Sequence, residues 1–404
     1  MLRARSLRGS RSWSRRSEVD AQVGVVGLGA AGSGALWRSA VRGAEVIGFE
    51  QYGSGHDRGS SHGLSRVFKS VTPQGPQESA LAQRGARLWR ELEAESGESV
   101  LHMTGGLSIG KPGSPLITGL EKVQAETGLE LEYLDEADLR RRFPQHVVTD
   151  GDIAVIDPAS GYLQPELAIR TQWNLARAHG ARVVDAQVLE VVPREDSVLI
   201  TTAERTYEVQ TAIIAAGAWQ RTLLPFLPMQ LTPRRATLSW FAPKPGREAL
   251  FTPEAFPAFT HEAVGETGWG LPEFDDHRVK IGLDFTEGYE ITDPSANKRE
   301  VEDWELARVR RFVAETLPDL DPTPIHSGGC MITMTPDEEF TIGIPAEHPR
   351  LVVLSACSGR GFKMSAAVGD VGAELALTGT SSADLSPFSP DRFAPVTTST
   401  GAMR

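Results

Sequence analysis

The chain has 404 residues, of which 40% are hydrophobic and 23% charged, and its formal net charge at pH 7 is −12. This length exceeds the size at which one hydrophobic core usually stops growing, so two domains are expected. An acidic body excludes nucleic acid as the principal ligand. No uncharged apolar run approaches the roughly 18 residues that a transmembrane helix needs, so no membrane partner is expected.

The two ends of the chain have compositions that differ from the rest. Residues 1–18 carry six arginines and one glutamate, a net charge of +5, which leaves −17 for the remainder. They lack the apolar stretch of a secretion signal, so we predict a disordered basic tail over residues 1–19. We also predict a C-terminal tail over residues 386–404, disordered from 394 onward. The two cysteines make no disulfide framework, which indicates a cytoplasmic protein.

The fold is predicted to begin with a dinucleotide-binding unit. Residues 22–26 indicate a short buried strand, the motif GLGAAG follows at once, and an apolar helix then extends to about Val41. A second strand is predicted from Glu45 to Phe49. This order of strand, Gly-rich turn, helix and strand is typical of nucleotide-binding folds.

Each glycine of this motif has a separate physical role. Gly27 permits the tight turn, Gly29 lets the backbone approach a pyrophosphate, and Gly32 lets the helix pack closely on the strand. Glu50 follows Gly27 by 23 positions and can accept hydrogen bonds from a ribose diol. The helix N-terminus favours the phosphate charge.

The segments that follow favour FAD over NAD. A loop rich in Gly, Ser, His and Arg runs from Gly53 to Lys69, where an NAD domain would continue with another strand-helix-strand unit. A helix from Gln77 to Ser96 comes next. Residues 206–219 predict strands that end at Ala-Ala-Gly217, similar to the second nucleotide-contacting strand of flavoproteins. An NAD-dependent dehydrogenase is the alternative.

Six motifs, in order, resemble the monomeric sarcosine oxidase and N-methyltryptophan oxidase family of D-amino-acid-oxidase-like flavoproteins. They extend from about Gln22 to Phe393 and read GLGAAG, RGSSHGLSR, AAGAW, VKIGLDF, GGCMITMTPDEEFTIG and CSGRGFKMS. The resemblance implies an α/β fold in which a Rossmann-like FAD-binding domain is interleaved with a mixed-sheet substrate domain. We predict the FAD-binding domain over 20–95, 160–228 and 325–385, and the substrate domain over 96–159 and 229–324. Residues 368–379 predict the closing helix, with Gly379 as its end.

Cys330 has two interpretations. A lone cysteine is most often a small buried hydrophobic residue. The resemblance implies instead that Cys330 forms a thioether with the 8-methyl carbon of the flavin, through attack by its thiolate. Such a bond would raise the flavin potential and retain the cofactor. Cys357 is predicted to be structural.

Lys280 also has two interpretations. Val279, Ile281 and Leu283 alternate around it in a predicted strand, which would direct Lys280 to solvent. The resemblance implies instead that Lys280 lies on the flavin face, where a fixed ammonium stabilises the superoxide formed from oxygen.

The resemblance further implies a set of residues around the substrate and the flavin ring. Lys363 matches the lysine that binds the substrate carboxylate, and Lys69 stands where the family usually has an arginine. Lysine lacks the bidentate fork of arginine, which indicates looser carboxylate geometry. Ser65 and Arg66 match residues near the reactive ring, where Arg66 would stabilise negative charge on reduced flavin. The other implied cofactor contacts are Val188, Gly217, Gly359 and Gly361.

Two positions depart from the family pattern. Asp284 stands four residues after Lys280, where the family usually has a histidine, and Trp269 replaces a tyrosine of the substrate pocket. Both changes affect the identity of the amine and leave the flavin chemistry intact.

We therefore predict an oxidase that converts the C–N bond of a secondary amino acid, N-methyl or cyclic, to an imine and reduces O2 to H2O2. A monomer with amino-acid substrate and O2 as its partners is expected. One alternative is a dehydrogenase that uses another electron acceptor. Another is an oxidase of pipecolate or proline-like substrates, and a third is a non-catalytic flavin-binding module.

Overall fold

A computed structural model describes residues 19–274, 278–284, 290, 291 and 293–393. Residues 1–18 of the tail predicted over 1–19, and residues 394–404 of the tail predicted over 386–404, lie outside these residues. In the described part the strands, in chain order, are β1 (Ala21–Val26), β2 (Val46–Glu50), β3 (Arg66–Phe68), β4 (Leu101–His102), β5 (Gly106–Gly110), β6 (Glu132–Leu134), β7 (Ile153–Asp157), β8 (Gly161–Leu163), β9 (Arg182–Asp185), β10 (Val188–Pro193), β11 (Val198–Thr202), β12 (Thr206–Ile214), β13 (Thr232–Phe241), β14 (Ala258–Ala263), β15 (Glu266–Glu273), β16 (Val279–Leu283), β17 (His326–Met334), β18 (Thr341–Gly343) and β19 (Leu351–Ser355).

The helices pack against the faces of the sheets that these strands form. They are α1 (Ala30–Val41), α2 (Pro76–Ser96), α3 (Pro115–Thr127), α4 (Glu136–Arg142), α5 (Pro165–Ala178), α6 (Gln220–Leu223), α7 (Asp303–Thr316) and α8 (Ser365–Thr378). No described helix combines the length and the apolar character needed to cross a membrane.

The first sheet has the strand order β10-β11-β12-β1-β2-β9, with β19 paired to β12 and β18 to β19. β1 runs parallel to β2 and to β12, and β2 runs parallel to β9. β2 is buried along its whole length, as expected for a parallel strand covered on both faces. The carboxyl ends of these strands therefore meet at one edge, where α1 begins.

Helices α1 and α8 cross in close contact beside this sheet. A Cβ atom added to Gly369 would lie 2.5 Å from the carbonyl carbon of Gly34, so the crossing depends on the absence of a side chain. Arg38 on α1, Arg42 at the C-cap of α1 and Arg84 on α2 all form ion pairs with Asp370 on α8. This arginine cluster links three helices through one carboxylate.

The second sheet has the strand order β17-β13-β16-β15-β14-β5-β7-β6. All its pairs are antiparallel except that of β14 with β5. Helix α7 packs on one face, where Phe312 fills the space left by Gly268. A small third sheet, β3-β8-β4, carries Arg66 and leads directly to Lys69.

The predicted elements near both ends agree with the structure. β1, α1 and β2 lie within one residue of the predicted positions, except that α1 begins at Ala30 inside the GLGAAG motif. Helix α8 ends at Gly379, whose φ of 75° is the left-handed conformation that favours glycine. Residues 386–393, assigned to a tail, form two short 3-10 turns, and Phe388 is only 1% exposed.

One strand pairs across the chain segments that are assigned to different domains. β17 lies within the segment 325–385 assigned to the FAD-binding domain, yet it pairs with β13 of the second sheet. The division into two domains stays a prediction.

Candidate functional site

One cavity of about 1000 Å³ lies against the carboxyl edge of the first sheet and reaches the second sheet. Residues of both sheets line it, among them Gly27 and Glu50 from the first sheet and Trp269 and Cys330 from the second. This volume accommodates a large ligand together with a small one.

The glycine turn after β1 leaves an open cradle at one end of the cavity. Gly27 has a φ of 81°, and a Cβ atom added there would lie 2.8 Å from the carbonyl oxygen of Ala215. A Cβ on Gly32 would lie 1.8 Å from the carbonyl oxygen of Gly27, whereas a Cβ on Gly29 would meet no atom within 4 Å. Gly29 is the N-cap of α1, so the cradle faces a helix N-terminus.

Glu50 holds the backbone around this cradle. Its carboxylate accepts hydrogen bonds from the amides of Leu28 at 2.9 Å, Gln51 at 2.8 Å and Tyr52 at 3.1 Å. Glu50 is 7% exposed and lines the cavity. A helix N-terminus without acidic residues in its first turn, beside a fixed carboxylate, fits the pyrophosphate and ribose of a dinucleotide.

Lys280 on β16 is buried, with 1% of its surface exposed. Its ammonium donates hydrogen bonds to the carbonyl oxygens of Gly63 at 2.8 Å and Ser65 at 2.7 Å. It lies 5.2 Å from the ring centre of Trp240 and 6.0 Å from that of Trp269. The expectation from strand alternation, that Lys280 points to solvent, is wrong, because β16 is covered on both faces.

Burial governs the charge of this lysine. Desolvation lowers the pKa of Lys280 well below its usual value, and the positive charge of Arg66 lowers it further. Negative charge at Cys330 and Glu166 acts in the opposite direction. The two carbonyl acceptors also favour the ammonium form.

Glu166 fixes the loop that provides these carbonyls, although it stands in none of the sequence motifs. Its Oε1 accepts hydrogen bonds from the amides of Gly63 at 2.6 Å and Leu64 at 3.2 Å. Leu64 has a φ of 67°, an unfavourable conformation for a residue with a side chain. Glu166 and Gly63 are 103 positions apart, so no local pattern indicates the contact.

Cys330 lies on β17, is 3% exposed and contributes to the cavity wall. Arg66 places its Nη2 atom 3.9 Å from the Cys330 sulfur and is held by the carbonyl oxygens of Ser60 and Ser65. The guanidinium of Arg66 therefore contacts the sulfur that would be the nucleophile in flavin attachment. Cys357 also lines the cavity, and its sulfur accepts a hydrogen bond from the Thr333 amide at 3.2 Å.

Two more lysines lie on the cavity wall. The Lys69 ammonium donates to the hydroxyl oxygens of Ser108 at 3.2 Å and Thr260 at 2.8 Å. The Lys363 ammonium donates to the carbonyl oxygen of Arg360 at 2.9 Å. Desolvation lowers the pKa of each lysine to about 8. Both therefore remain able to bind a carboxylate at neutral pH.

Asp284 and Trp269 line the same part of the cavity. The Asp284 side chain is open to the cavity, yet partial desolvation raises the pKa of its carboxyl. The positive charges of Lys69 and Lys363 act in the opposite direction. Trp269 depends on Gly282, because a Cβ there would lie 2.2 Å from the indole ring.

The structure gathers most of the residues singled out in the sequence. The cavity is lined by Gly27, Gly29, Glu50, Arg66, Lys69, Val188, Gly217, Trp269, Asp284, Cys330, Gly359, Gly361 and Lys363. Gly32, Ser65 and Lys280 were also singled out in the sequence but are not among the lining residues. Their roles toward ligands stay predictions.

Comparison with known proteins places the chain in a family. The family DAO, FAD dependent oxidoreductase, matches residues 22–375. Monomeric sarcosine oxidase from Streptomyces avermitilis is 34% identical over 92% of this chain and 97% of its own. N-methyl-L-tryptophan oxidase from Salmonella dublin is 32% identical over 92% of this chain and 98% of its own.

A solved structure shows the same fold. NikD, an unusual amino acid oxidase essential for nikkomycin biosynthesis, superposes with a TM-score of 0.78 at 23% identity, over 92% of this chain and 97% of its own. The open glycine cradle, Glu50 and the cavity volume fit FAD, the cofactor of the matched family. The chain therefore belongs to the DAO family of FAD-dependent oxidoreductases.

Proposed function

We propose that this protein oxidises the C–N bond of a secondary amino acid, N-methyl or cyclic, to an imine. The observation that carries the proposal is the presence of Lys69 and Lys363 on the wall of the cavity that the glycine cradle also lines. Buried lysines beside an apolar indole suit a small carboxylate whose adjacent carbon is oxidised. The names of the two oxidases similar to this chain support a secondary amine as the reacting group.

The residues of this chain would hold and orient the substrate. Lys363 and Lys69 bind the carboxylate, and Trp269 excludes water from the reacting carbon. FAD, when bound, supplies the acceptor for the two electrons that leave the C–N bond. No described side chain need act as a strong base, because the neutral amine already has a free electron pair. Water then hydrolyses the imine.

We also propose that O2 is the final electron acceptor and becomes H2O2. The support is Lys280, whose nitrogen is fixed by two carbonyl oxygens close to Arg66. In its ammonium form, which the two carbonyl acceptors favour against desolvation, Lys280 would stabilise the superoxide that forms first. We further propose a cytoplasmic location, since Cys330 and Cys357 form no disulfide. We also propose a monomer, which the name of the similar monomeric sarcosine oxidase supports and which light scattering tests.

Anaerobic mixing tests the reaction. Sarcosine, larger N-methyl amino acids, pipecolate and proline are each mixed with the flavoprotein, and bleaching of the flavin absorbance is followed. Lys363→Met is expected to lose bleaching at low substrate concentration. If none of these amino acids bleaches the flavin, the proposed reaction is wrong. In air, less than one peroxide per flavin reduced would instead favour a dehydrogenase with another acceptor.

We propose that Cys330 attaches the flavin covalently. Its sulfur belongs to the cavity wall and lies 3.9 Å from Nη2 of Arg66. After precipitation with acid, the yellow colour is expected to stay with the wild-type polypeptide and to be released from Cys330→Ser. The second thiol of the cavity provides a matched control, because Cys357→Ser is expected to retain the colour. Release from the wild type would show noncovalent flavin.

A further inference from the structure

The loop after β19, which carries Lys363, has a strained backbone. Ser358 has a φ of 37° and Gly359 a φ of 74°, both in the left-handed region. A Cβ on Gly361 would lie 1.5 Å from the carbonyl oxygen of Ala356. Such a backbone persists only where surrounding contacts hold it.

Arg360 provides these contacts through its side chain. Its Nε and Nη2 atoms lie 2.9 Å and 2.7 Å from Oε1 of Glu78 on α2. Its Nη1 donates to the carbonyl oxygen of Glu338 at 2.8 Å, and the guanidinium lies 5.0 Å from the ring centre of Phe340. The Arg360 backbone carbonyl accepts the hydrogen bond from the Lys363 ammonium.

Glu78 is a buried carboxylate with no part in the chemistry described above. Its side chain is 2% exposed, whereas that of Arg360 is 16% exposed and lines the cavity. A buried ion pair of this kind is costly to break, because the remaining partner becomes an uncompensated charge. Glu78 also neutralises the charge of Arg360.

We propose that Glu78 and Arg360 are positioning residues that fix the Lys363 ammonium and so determine how tightly this site holds a carboxylate. The inference rests on the proposed function, in which Lys363 binds the substrate carboxylate. The two nitrogens of Arg360 on one carboxylate orient the loop, and the loop carbonyl orients the lysine. Neither residue touches the reacting atoms.

The charge around Lys363 adds a second consequence. The charged groups near its ammonium are Glu78 on α2, Arg360 on its own loop, Lys69 after β3 and Asp284 after β16. Glu78 and Asp284 raise the pKa of Lys363, whereas Arg360 and Lys69 lower it. Removing the Glu78 charge therefore favours the neutral amine, and carboxylate binding is lost at a lower pH.

Binding of acetate to the holoenzyme tests the proposal. Acetate is a carboxylate without an oxidisable C–N bond, and its dissociation constant is measured by perturbation of the flavin spectrum. In Glu78→Gln we expect this constant to rise about tenfold. We also expect the pH at which acetate binding is lost to shift downward. If Glu78→Gln binds acetate as tightly as the wild type or more tightly, and loses acetate at the same pH, the proposal is overturned.

Two further variants separate positioning from general destabilisation. Arg360→Lys keeps the charge but loses the planar fork, so it is expected to weaken acetate binding even if Glu78→Gln fails to fold. Arg84→Gln breaks another ion pair of the same helix, away from the cavity. It is expected to lower the melting temperature and leave acetate binding unchanged. Equal effects of Arg84→Gln and Arg360→Lys on acetate would contradict the inference.

Lys363→Met distinguishes this inference from the proposed function. If this variant binds acetate like the wild type, Lys363 does not hold carboxylates and the proposed function fails. If it loses acetate while Glu78→Gln and Arg360→Lys retain it, the proposed function stands and the inference fails.

Discussion

The charge of Lys69 and Lys363 depends on how deeply the cavity is closed. Desolvation lowers the pKa of both ammonium groups from 10.5 to about 8, so they are charged at neutral pH and lose their protons only slightly above it. A lysine at the protein surface, with its usual pKa of about 10.4, would still be charged at pH 8. The cavity therefore makes anion binding sensitive to mild alkali.

We expect the affinity for acetate to fall as the pH rises through about 8. Below this value both lysines carry the proton that a carboxylate needs, and above it they are increasingly neutral. A titration of the dissociation constant from about pH 6.5 to about pH 9.5 measures this directly, because acetate itself stays ionised. An affinity that is constant across the range would contradict the assignment of the two lysines.

At the residue scale, the sequence motifs predict the groups that line the cavity better than the groups that support them. Cys330 and Lys363 stand in local motifs, and both lie on the cavity wall. Glu166 and Glu78 do not stand in such motifs, since they act on partners 103 and 282 positions away. Contacts at such distances arise from the topology and leave no trace in local spacing.

At the element scale, strand β16 shows where hydrophobic alternation fails. Alternation around Lys280 predicts one buried and one solvated face, yet Val279, Lys280 and Ile281 are all buried. The second sheet is covered on one side by α7 and on the other by the loop at Gly63. β1, α1 and β2 were easier to predict, because their glycines and apolar runs act within one short segment.

We expect substitutions at two glycines of the turn before α1 to affect folding and cofactor binding separately. Gly29→Leu places a side chain in open space, so the fold should persist while flavin content falls. Gly32→Ala forces a Cβ against the Gly27 carbonyl and is expected to destabilise the protein by about 1–3 kcal/mol. Thermal unfolding and flavin content measure the two effects, with Gly29→Ala as the smaller substitution at the open position. Full flavin content in Gly29→Leu would contradict the inference that the glycine cradle holds the cofactor.

At the scale of the whole molecule, Asp370 joins α1, α2 and α8. Burial alone would raise the pKa of its carboxyl, but hydrogen bonds from Arg42, Arg84 and Arg38 outweigh burial and lower this pKa to about 2. Because the pKa in the folded state lies below the unfolded value of 3.8, this carboxylate stabilises the fold above about pH 4. The stabilisation is lost as the pH falls toward about 2.

Asp370→Asn is expected to lower the free energy of unfolding at pH 7 by about 2–3 kcal/mol, since three arginines lose their common partner. The difference from the wild type should shrink below about pH 4. Chemical unfolding of both proteins at pH 7 and below about pH 4 measures this difference in the free energy of unfolding. Glu132→Gln, which breaks an exposed pair with Arg142, serves as the control and should cost less than about 1 kcal/mol. A pH-independent difference would show that the charge of Asp370 is not the cause.

Because β17 belongs to the second sheet, the proposed thioether would also affect the stability of the fold. The glycine cradle belongs to the first sheet, whereas Cys330 sits on a strand of the second. A dissociable ligand stabilises a fold by an amount that rises with the logarithm of its free concentration above the dissociation constant, and dilution removes it. A flavin bonded to Cys330 would instead remain on the protein at any dilution. A chain that unfolds would keep its own flavin and could refold without capturing another.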